Sequence, residues 1–483
     1  MENINIQIER LVKYAVDYLD LKETDIIYVR NKLLSKFSIE YQEVQNVEEV
    51  KSLELIINPL LEYAKLNNLL TNEDIFITEV LDIVSLTPSF IADKSLKVKN
   101  KRKFTKWFYE YCKSVDYIKW SAILKNKKWT SKNTRIPLDI TINLSKPEKS
   151  NADIAKAKTV TTINYPKCLL CKENLGFKGN DNWPARSTIR TIPLILNNEK
   201  WFWQYSPYSY YNEHCIIISD EHRPMKLTKD TYRVLLDFLE QYPFYFIGGN
   251  APLAIVGGSI LAHDHFQGGG YKLPLHKAQI KEVILDNNNL KVAIVDWYNS
   301  VIRLSSNNKE TLINTCEAIY QKWIAYSQGE IINETNGVPH NTLNPIARKE
   351  KDIYIIDLIL RNNRTNKEHP EGIFHAHKEY HNIKSESIGL IEAQGLFILP
   401  PRLDRQIKII KKILQGQKIE LSGDMLIHQD FINKLLNKYG TLTSNAEQII
   451  RQEINLVCEN ILKNTAVFKE EKEFIKFVKS CFY

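Results

Sequence analysis

"GGSILAHDHFQGGG", residues 257–270, sets His263, His265 and Gln267 at alternate positions between two clusters of glycine. Alternate residues of an extended strand share one face, so this spacing predicts a strand that sends two imidazoles and an amide into one pocket. Neutral imidazole is a good nucleophile near pH 7. A phosphoryl group is an electrophile with which it can form a transient P–N bond, to be broken by a second oxygen nucleophile. The demand in such a transfer is positioning and stabilisation of phosphoryl charge, which amides, backbone N–H groups and Lys or Arg meet. On this reading Gln267 donates its amide to a phosphoryl oxygen, and Gly257, Gly258, Gly268, Gly269 and Gly270 let backbone approach a phosphate.

Outward from this stretch the order is strands, helix, strands. "TIRTIPLIL", "KWFWQYSPY" and "HCIIIS" read as strands, and "TKDTYRVLLDFLEQYP" as a helix with a Thr cap, Asp230 near its start and Pro243 just beyond its end. The same grammar recurs in "LKVAIVDWYNSVIRLSS", a helix around "KETLINTCEAIYQKWIAYSQ", then "DIYIIDLILRN" and "GIFHAHKEYH". The second unit also ends in His-x-His, at His375 and His377, so an internal duplication is expected with the two pairs in matching places. From Glu2 to about Leu144 apolar residues recur mostly at three and four, which predicts an accessory helical layer. "RIPLDITINLSKPEKSNADIAKAK" then alternates before a Pro and a Ser–Asn–Ala–Asp helix start, marking a boundary near residue 150. After "LPPRL" helical spacing returns. The expected organisation is a helical region 1–150, two α+β units 151–285 and 286–405, and a helical region 406–483.

With 483 residues the chain exceeds one core, and 43% hydrophobic with 25% charged residues is ordinary globular usage. The N-terminal "MENINIQIERLVKYAVDYLDL" reads as a charged amphipathic helix and no apolar run reaches membrane-spanning length, so a cytoplasmic protein without a membrane partner is expected. The net charge of +8 is uneven: Lys94 to Lys132 holds thirteen Lys or Arg against Glu110 and Asp116. Interleaved aromatics, as in "KRKFTKWFYEYCK", can serve a nucleic-acid surface. The plainer reading is a solvated helix with an apolar aromatic face. Seven scattered cysteines argue against a disulfide framework, and Cys168 and Cys171 have the spacing of half a zinc site. Candidates for the other two ligands are His222 and His263, with His214 an alternative to His222; the plainer reading is two buried thiols beside Leu169 and Leu170. Four ligands close a structural site, which leaves His265 free as the nucleophile.

The sequence resembles the galactose-1-phosphate uridylyltransferases of the histidine triad superfamily, in the class found in Gram-positive bacteria. The resemblance rests on "LDITINLSKPEKSNADIAKAK", "YPKCLLCKENLGFKG", "GGNAPLAIVGGSILAHDHFQGG", "PHNTLNPIARKEKDIYIIDLILRNN" and "GIFHAHKEYHNIKSESIGLIEAQGLFILPPRL". It implies two fused histidine-triad-like α+β halves with antiparallel half-barrel sheets, and UMP transfer from UDP-glucose to galactose 1-phosphate, giving glucose 1-phosphate and UDP-galactose by ping-pong kinetics. It further implies that His265 becomes uridylylated and that Gln267 holds the phosphoryl oxygen. Cys168, Cys171, His222 and His263 match a zinc site, and Asn250 and Ser259 match contacts to the uridylyl phosphate. His340, His375 and His377 are similar to ligands of a second metal in a related class, with Glu282 a fourth, and otherwise serve as substrate contacts. A homodimer is typical. Within the superfamily the alternatives are a nucleotidyltransferase or phosphorylase on another nucleoside diphosphate sugar, or a hydrolase. The hydrolases carry a third histidine where Gln267 stands, and glutamine cannot donate a proton as an acid, which favours transfer to an ionised phosphate acceptor. A zinc-stabilised nucleic-acid-binding protein is the alternative from another class.

Overall fold

The computed structural model describes residues 3–45, 47–70, 72–145, 165–180, 183–258, 260–442 and 444–483. The predicted boundary near residue 150 and its helix start lie outside them. The strands are β1 (Lys127–Thr130), β2 (Asp139–Ile142), β3 (Ile192–Leu196), β4 (Glu199–Tyr205), β5 (Cys215–Ser219), β6 (Phe246–Gly249), β7 (His265–Gly269), β8 (Ile280–Asp286), β9 (Lys291–Val295), β10 (Val301–Ser306), β11 (Glu334–Thr335), β12 (Val338–Pro339), β13 (Asn341–Glu350), β14 (Ile353–Asn362) and β15 (Leu396–Leu399). Ten of them form one sheet in the order β3-β4-β5-β7-β6-β13-β14-β10-β9-β8, antiparallel throughout.

Read inward from either edge, that order is first, second, third, fifth, fourth strand of a five-stranded unit. A helix separates the third and fourth strands of each: Lys229–Gln241 in the first unit and Lys309–Ile324 in the second. The duplication expected from the sequence is therefore present as mirrored strand order, the two units joined where β6 pairs with β13. Two corrections follow. β8 pairs only with β9, so it belongs to the second unit, and the division falls before Ile280 rather than after residue 285. The second-unit counterpart of β7 is β14, "IYIIDLILRN", which carries no histidine. His375 precedes a short 3-10 turn over Lys378–Tyr380, so the second His-x-His is neither on a strand nor in the matching place.

Local chemistry explains the predicted elements. Thr228 caps Lys229–Gln241 through a reciprocal capping box with Thr231. Asn308 accepts the Thr311 N–H at the start of Lys309–Ile324. Both helices pack on one sheet face against a core that includes Trp203, Ile217, Phe266, Leu304 and Leu358. The N-terminal helices Ile4–Tyr18, Ile26–Phe37, Leu53–Leu66, Glu73–Ile83 and Lys101–Ser114 extend the same core through Leu11, Phe37, Phe76 and Phe108. The aromatic side of "KRKFTKWFYEYCK" is thus core: Phe108 meets Trp203 edge-on at 5.8 Å and Tyr205 at 5.4 Å. Lys94 lies 3.4 Å from the Trp107 ring centre and pairs with Asp20, while Arg102 pairs with Glu213. These contacts favour the solvated-helix reading over a base-stacking surface. No single helix among the described residues is long and apolar enough to cross a membrane.

The opposite face holds Tyr211, Phe246, Ile346 and Ile359 against β1-β2-β15 and the C-terminal helices Arg402–Leu414 and Ala446–Asn464. Paired residues run across this face in one row: Ile216, Gln267, Gly248, Ile346, Asp357, Arg303, Ala293. Asp357 is fully buried, with Arg303 Nε at 2.6 Å and Arg348 Nη1 at 2.7 Å. Burial alone would raise its carboxyl, but the Arg348 and Arg303 guanidiniums outweigh that and hold it below the ordinary carboxylate value. Asp357→Asn should therefore cost about 3–5 kcal/mol, because two buried guanidiniums lose their counter-charge. The same lowered value gives a stability contribution that is complete above about pH 4 and decays as pH falls through the folded-state value. Denaturant titrations of both proteins at pH 7 and near pH 3 check this; the difference between them should shrink in acid.

Candidate active site

The Cys168–Cys171 turn is fixed by backbone and amide contacts. The Cys171 N–H donates to Cys168 O at 3.2 Å, and the buried Asn174 amide donates to the carbonyls of Cys168 and Cys171 at 2.9 and 2.8 Å. Both sulfurs face His222 and His263. Cys168 Sγ lies 3.5 Å from Cys171 Sγ and 3.2 Å from His263 Nδ1, and Cys171 Sγ lies 3.1 Å from His222 Nδ1. The four donor atoms fall within 4.8 Å of one another. Zn–S and Zn–N bonds of about 2.3 and 2.0 Å at tetrahedral angles put donors roughly 3.5–3.8 Å apart, so the set fits zinc with modest expansion. The other ring nitrogen of His263 donates to Ser219 O at 2.9 Å, fixing the ring as outer-shell partners of metal-binding histidines do. Among the described residues this is the one group of three or more such donors that could hold a metal.

Arg223 ties the histidine segments together. It bonds Glu199 on β4 at 3.1 and 2.5 Å and Asp264 at 3.3 Å, and the Asp264 N–H donates to the Arg223 carbonyl at 2.7 Å. Sequence reasoning missed this clamp; the only signal was an arginine next to one candidate ligand and an aspartate between two histidines.

β7 begins at His265, so His263 precedes the strand rather than lying on it. His265 is 6% exposed. Its Nδ1–H donates to the carbonyl of His263 at 2.8 Å, and Nε2 has no hydrogen-bond partner among the described residues. Burial lowers its pKa to about 4, against a smaller upward effect of the bond to the His263 carbonyl, so the ring is neutral with its free lone pair on Nε2. Gln267 lies two residues on along the same face, and its Oε1 is 3.0 Å from His214 Nε2. His214 is therefore beside the glutamine and not in the sulfur cluster.

β6 neighbours β7, with Gly249 paired to Phe266; continuing that register sets Asn250 beside His265. Asn250 is 6% exposed and accepts the Leu390 N–H at 3.2 Å. Ser259 lies outside the described residues. At three of the glycines a side chain would collide with the protein itself. A Cβ at Gly257 would meet Ala251 O at 2.4 Å, at Gly258 the Asn250 amide at 2.5 Å, and at Gly268 Phe246 O at 2.5 Å. Asn250, Asp264 and Phe266 line a cavity of about 10 Å³, room for one water. Asp264 and Phe266 alternate with His265, so this cavity lies behind the strand.

The second-unit histidines do not converge. His340 pairs with Asn363 Oδ1 at 2.8 Å and Thr335 Oγ1 at 2.9 Å. His375 is buried and its Nε2 accepts the Ile388 N–H at 3.2 Å. His377 donates to Ile373 O at 3.0 Å and stacks on His369 at 4.0 Å. Glu282 is on β8, at the far edge of the sheet. Each imidazole is thus engaged separately, and the second metal site expected from the resemblance is not assembled by these side chains.

Models of the galactose-1-phosphate uridyl transferase N-terminal and C-terminal domains match residues 21–224 and 238–419. Three relatives named galactose-1-phosphate uridylyltransferase align over nearly the whole chain. That of Fusobacterium nucleatum is 42% identical over 98% of this chain and 97% of its own. That of Clostridium acetobutylicum is 43% identical over 98% and 99%, and that of Bacillus subtilis 40% over 96% and 94%. With both domains matched in order and this identity from end to end, the chain belongs to the galactose-1-phosphate uridylyltransferase family.

Proposed function

We propose that this protein transfers UMP from UDP-glucose to galactose 1-phosphate, in the Leloir route of galactose use, through a uridylyl group held on His265. The observation that carries the reading is the state of His265: Nδ1 is occupied by the His263 carbonyl, Nε2 has no hydrogen-bond partner among the described residues, and Gln267 shares its face. Nε2 attacks the α-phosphorus of UDP-glucose in line; the P–N bond forms as the P–O bond to glucose 1-phosphate breaks. The departing phosphate takes the electron pair and needs no proton, which suits a site with glutamine in place of an acid. The ring keeps its Nδ1 proton and gains positive charge, so its bond to the His263 carbonyl strengthens as the intermediate forms. A phosphate oxygen of galactose 1-phosphate then attacks the same phosphorus. The P–N bond breaks, UDP-galactose leaves, and the neutral imidazole is restored. The Gln267 amide donates to a nonbridging oxygen in both steps. Asn250 is assigned to the uridylyl phosphate because the β6–β7 register brings it beside His265.

Zinc is the metal the Cys168, Cys171, His222 and His263 donors suit, and when bound it supplies a structural clamp. The chain's own part is that His263 offers Nδ1 to the cluster while its carbonyl holds His265. The two functions share one residue. The buried second-unit side chain Asn344 donates to Gly249 O at 3.1 Å and is itself bonded by Arg361 at 2.9 Å, so that unit shapes the floor next to Asn250.

Incubation with UDP-glucose alone should add one uridylyl group to the intact mass and map it to His265. An unchanged mass, while labelled glucose 1-phosphate still exchanges into UDP-glucose, would remove the covalent step. His265→Ala should abolish turnover, and Gln267→Ala should lower kcat by about 100- to 1,000-fold, the usual loss of one donor to a developing charge. Elemental analysis should find one zinc per chain, lost in Cys171→Ser with a lower Tm; retention of one zinc by that variant would refute the four-donor set.

A further inference from the structure

His214 is buried, with 2% of its surface exposed, yet it is not a member of the metal-type cluster. It immediately precedes β5, whose Ile216 pairs with Gln267 and whose Cys215 pairs with Gly268. His214 therefore sits diagonally across from Gln267 on the same sheet face, a separation long side chains bridge. Its ring stacks on Tyr211 at 4.4 Å and on Tyr210 at 5.4 Å, and its backbone bonds to Tyr211 O and the Ser206 N–H. Tyr211 in turn donates to Gly268 O at 3.2 Å, so the stack is tied to β7 itself. A buried, neutral imidazole in this cage serves one visible polar partner, Gln267 Oε1 at 3.0 Å.

The position of the ring proton follows from what is left over. Burial lowers the His214 pKa to about 4, so near neutrality the ring carries one N–H. Its Nδ1 is buried without a partner among the described residues. An unpaired acceptor there is tolerated more easily than an orphaned buried N–H, which places the proton on Nε2. Nε2–H then donates to the amide oxygen of Gln267, and the amide –NH2 is left to face elsewhere; it has no partner among the described residues. A glutamine side chain is nearly symmetric in shape, and either end could point at a bound phosphate. A carbonyl oxygen so placed would repel the phosphoryl oxygens, whereas an N–H attracts them.

We propose that His214 is a positioning residue for uridylyl transfer: by donating to Gln267 Oε1 it fixes the glutamine in the one orientation that presents N–H to the phosphoryl group on His265. This rests on the function proposed above for His265 and Gln267. It assigns to His214 a part distinct from the metal-ligand alternative that the sequence allowed.

The test uses the full chain with UDP-glucose and galactose 1-phosphate, comparing His214→Phe, His214→Gln, Gln267→Ala and the double variant His214→Phe/Gln267→Ala. Phe keeps the aromatic stack and removes the donor; Gln restores an N–H donor. His214→Phe should lose about 10- to 100-fold in kcat, with KM for galactose 1-phosphate within about twofold and zinc content unchanged. His214→Gln should recover to within about tenfold of the parent. The double variant should be no slower than Gln267→Ala, because the effect passes through that side chain. Parent-like kcat in His214→Phe, or a double variant slower than Gln267→Ala by the full His214→Phe factor, overturns the proposal. Should His214→Phe not fold, a His214→Gln protein as slow as Gln267→Ala overturns it instead. Full speed in Gln267→Ala overturns the glutamine's role and this inference together, while a slow Gln267→Ala beside a fast His214→Phe removes His214 alone.

Discussion

The hydrogen bond from His265 Nδ1 to the carbonyl of His263 carries most of the site's logic. An imidazole has two nitrogens and, when neutral, one proton; assigning that proton to Nδ1 leaves Nε2 as the only basic lone pair. The carbonyl can do this only while the His263 backbone is held. That backbone is held on every side: the ring by the cysteine turn and the Ser219 carbonyl, and the next residue by Arg223, which also reaches β4 through Glu199. The thiol–imidazole cluster and the ion-pair clamp lie outside the reacting atoms, yet both act on the same peptide. Rigidity at His263 is thus converted into a defined tautomer two residues later.

The mirrored sheet shows how one half of a duplication can specialise. Gln267 and Asp357 stand in the same row across one face, three strands apart or about 14 Å at ordinary strand spacing. In the first half the row holds an amide flanked by glycine and isoleucine. In the second it holds a carboxylate enclosed by two arginines, one of which also donates to the carbonyls of Leu275 and Ala278. A buried pair of this kind closes its site, since any ligand would have to displace charge-assisted bonds. The second half therefore contributes to the first through its edge: Asn344, itself held by Arg361, reaches Gly249, and the segment around Leu390 reaches Asn250. The β6–β13 joint makes this possible, because it places Asn344 on the strand next to β6, which itself neighbours β7.

Period-2 and period-3.6 patterning made the strands and helices of both units legible, and the repeated order of elements revealed the duplication. The four-donor cluster was also legible, since CxxC and His-x-His spacing reflect ligand chemistry directly. Three features were not. The His375–His377 pair copies the sequence signature of β7, but a turn carries it, and nothing local distinguishes a strand from a turn in "GIFHAHKEYH". The glycines around the motif read as phosphate cradles because absence of a side chain is compatible with any close approach; only coordinates show that Ala251, Asn250 and Phe246 fill those spaces. His214 could be assigned to a metal or to nothing, because its partner lies across a strand pairing that one sequence does not disclose.

The contrast between His265 and His214 shows why burial alone does not define a role. Both rings are neutral with pKa values near 4, both lie on the same sheet face, and each makes one ring hydrogen bond among the described residues. What separates them is which nitrogen is spent. His265 directs its Nδ1 proton at a backbone carbonyl, and keeps the Nε2 lone pair that the proposed transfer requires. His214 directs its Nε2 proton at a side chain that can turn, and keeps its unused nitrogen inside the protein, where no substrate reaches it. Under the proposed function one imidazole is arranged to react and the other to orient, and the difference is set by backbone register rather than by any difference in their acidity. Exchanging those registers by a single residue would turn both side chains to the opposite face, which is packed with helix and aromatic side chains, and would leave neither task performed.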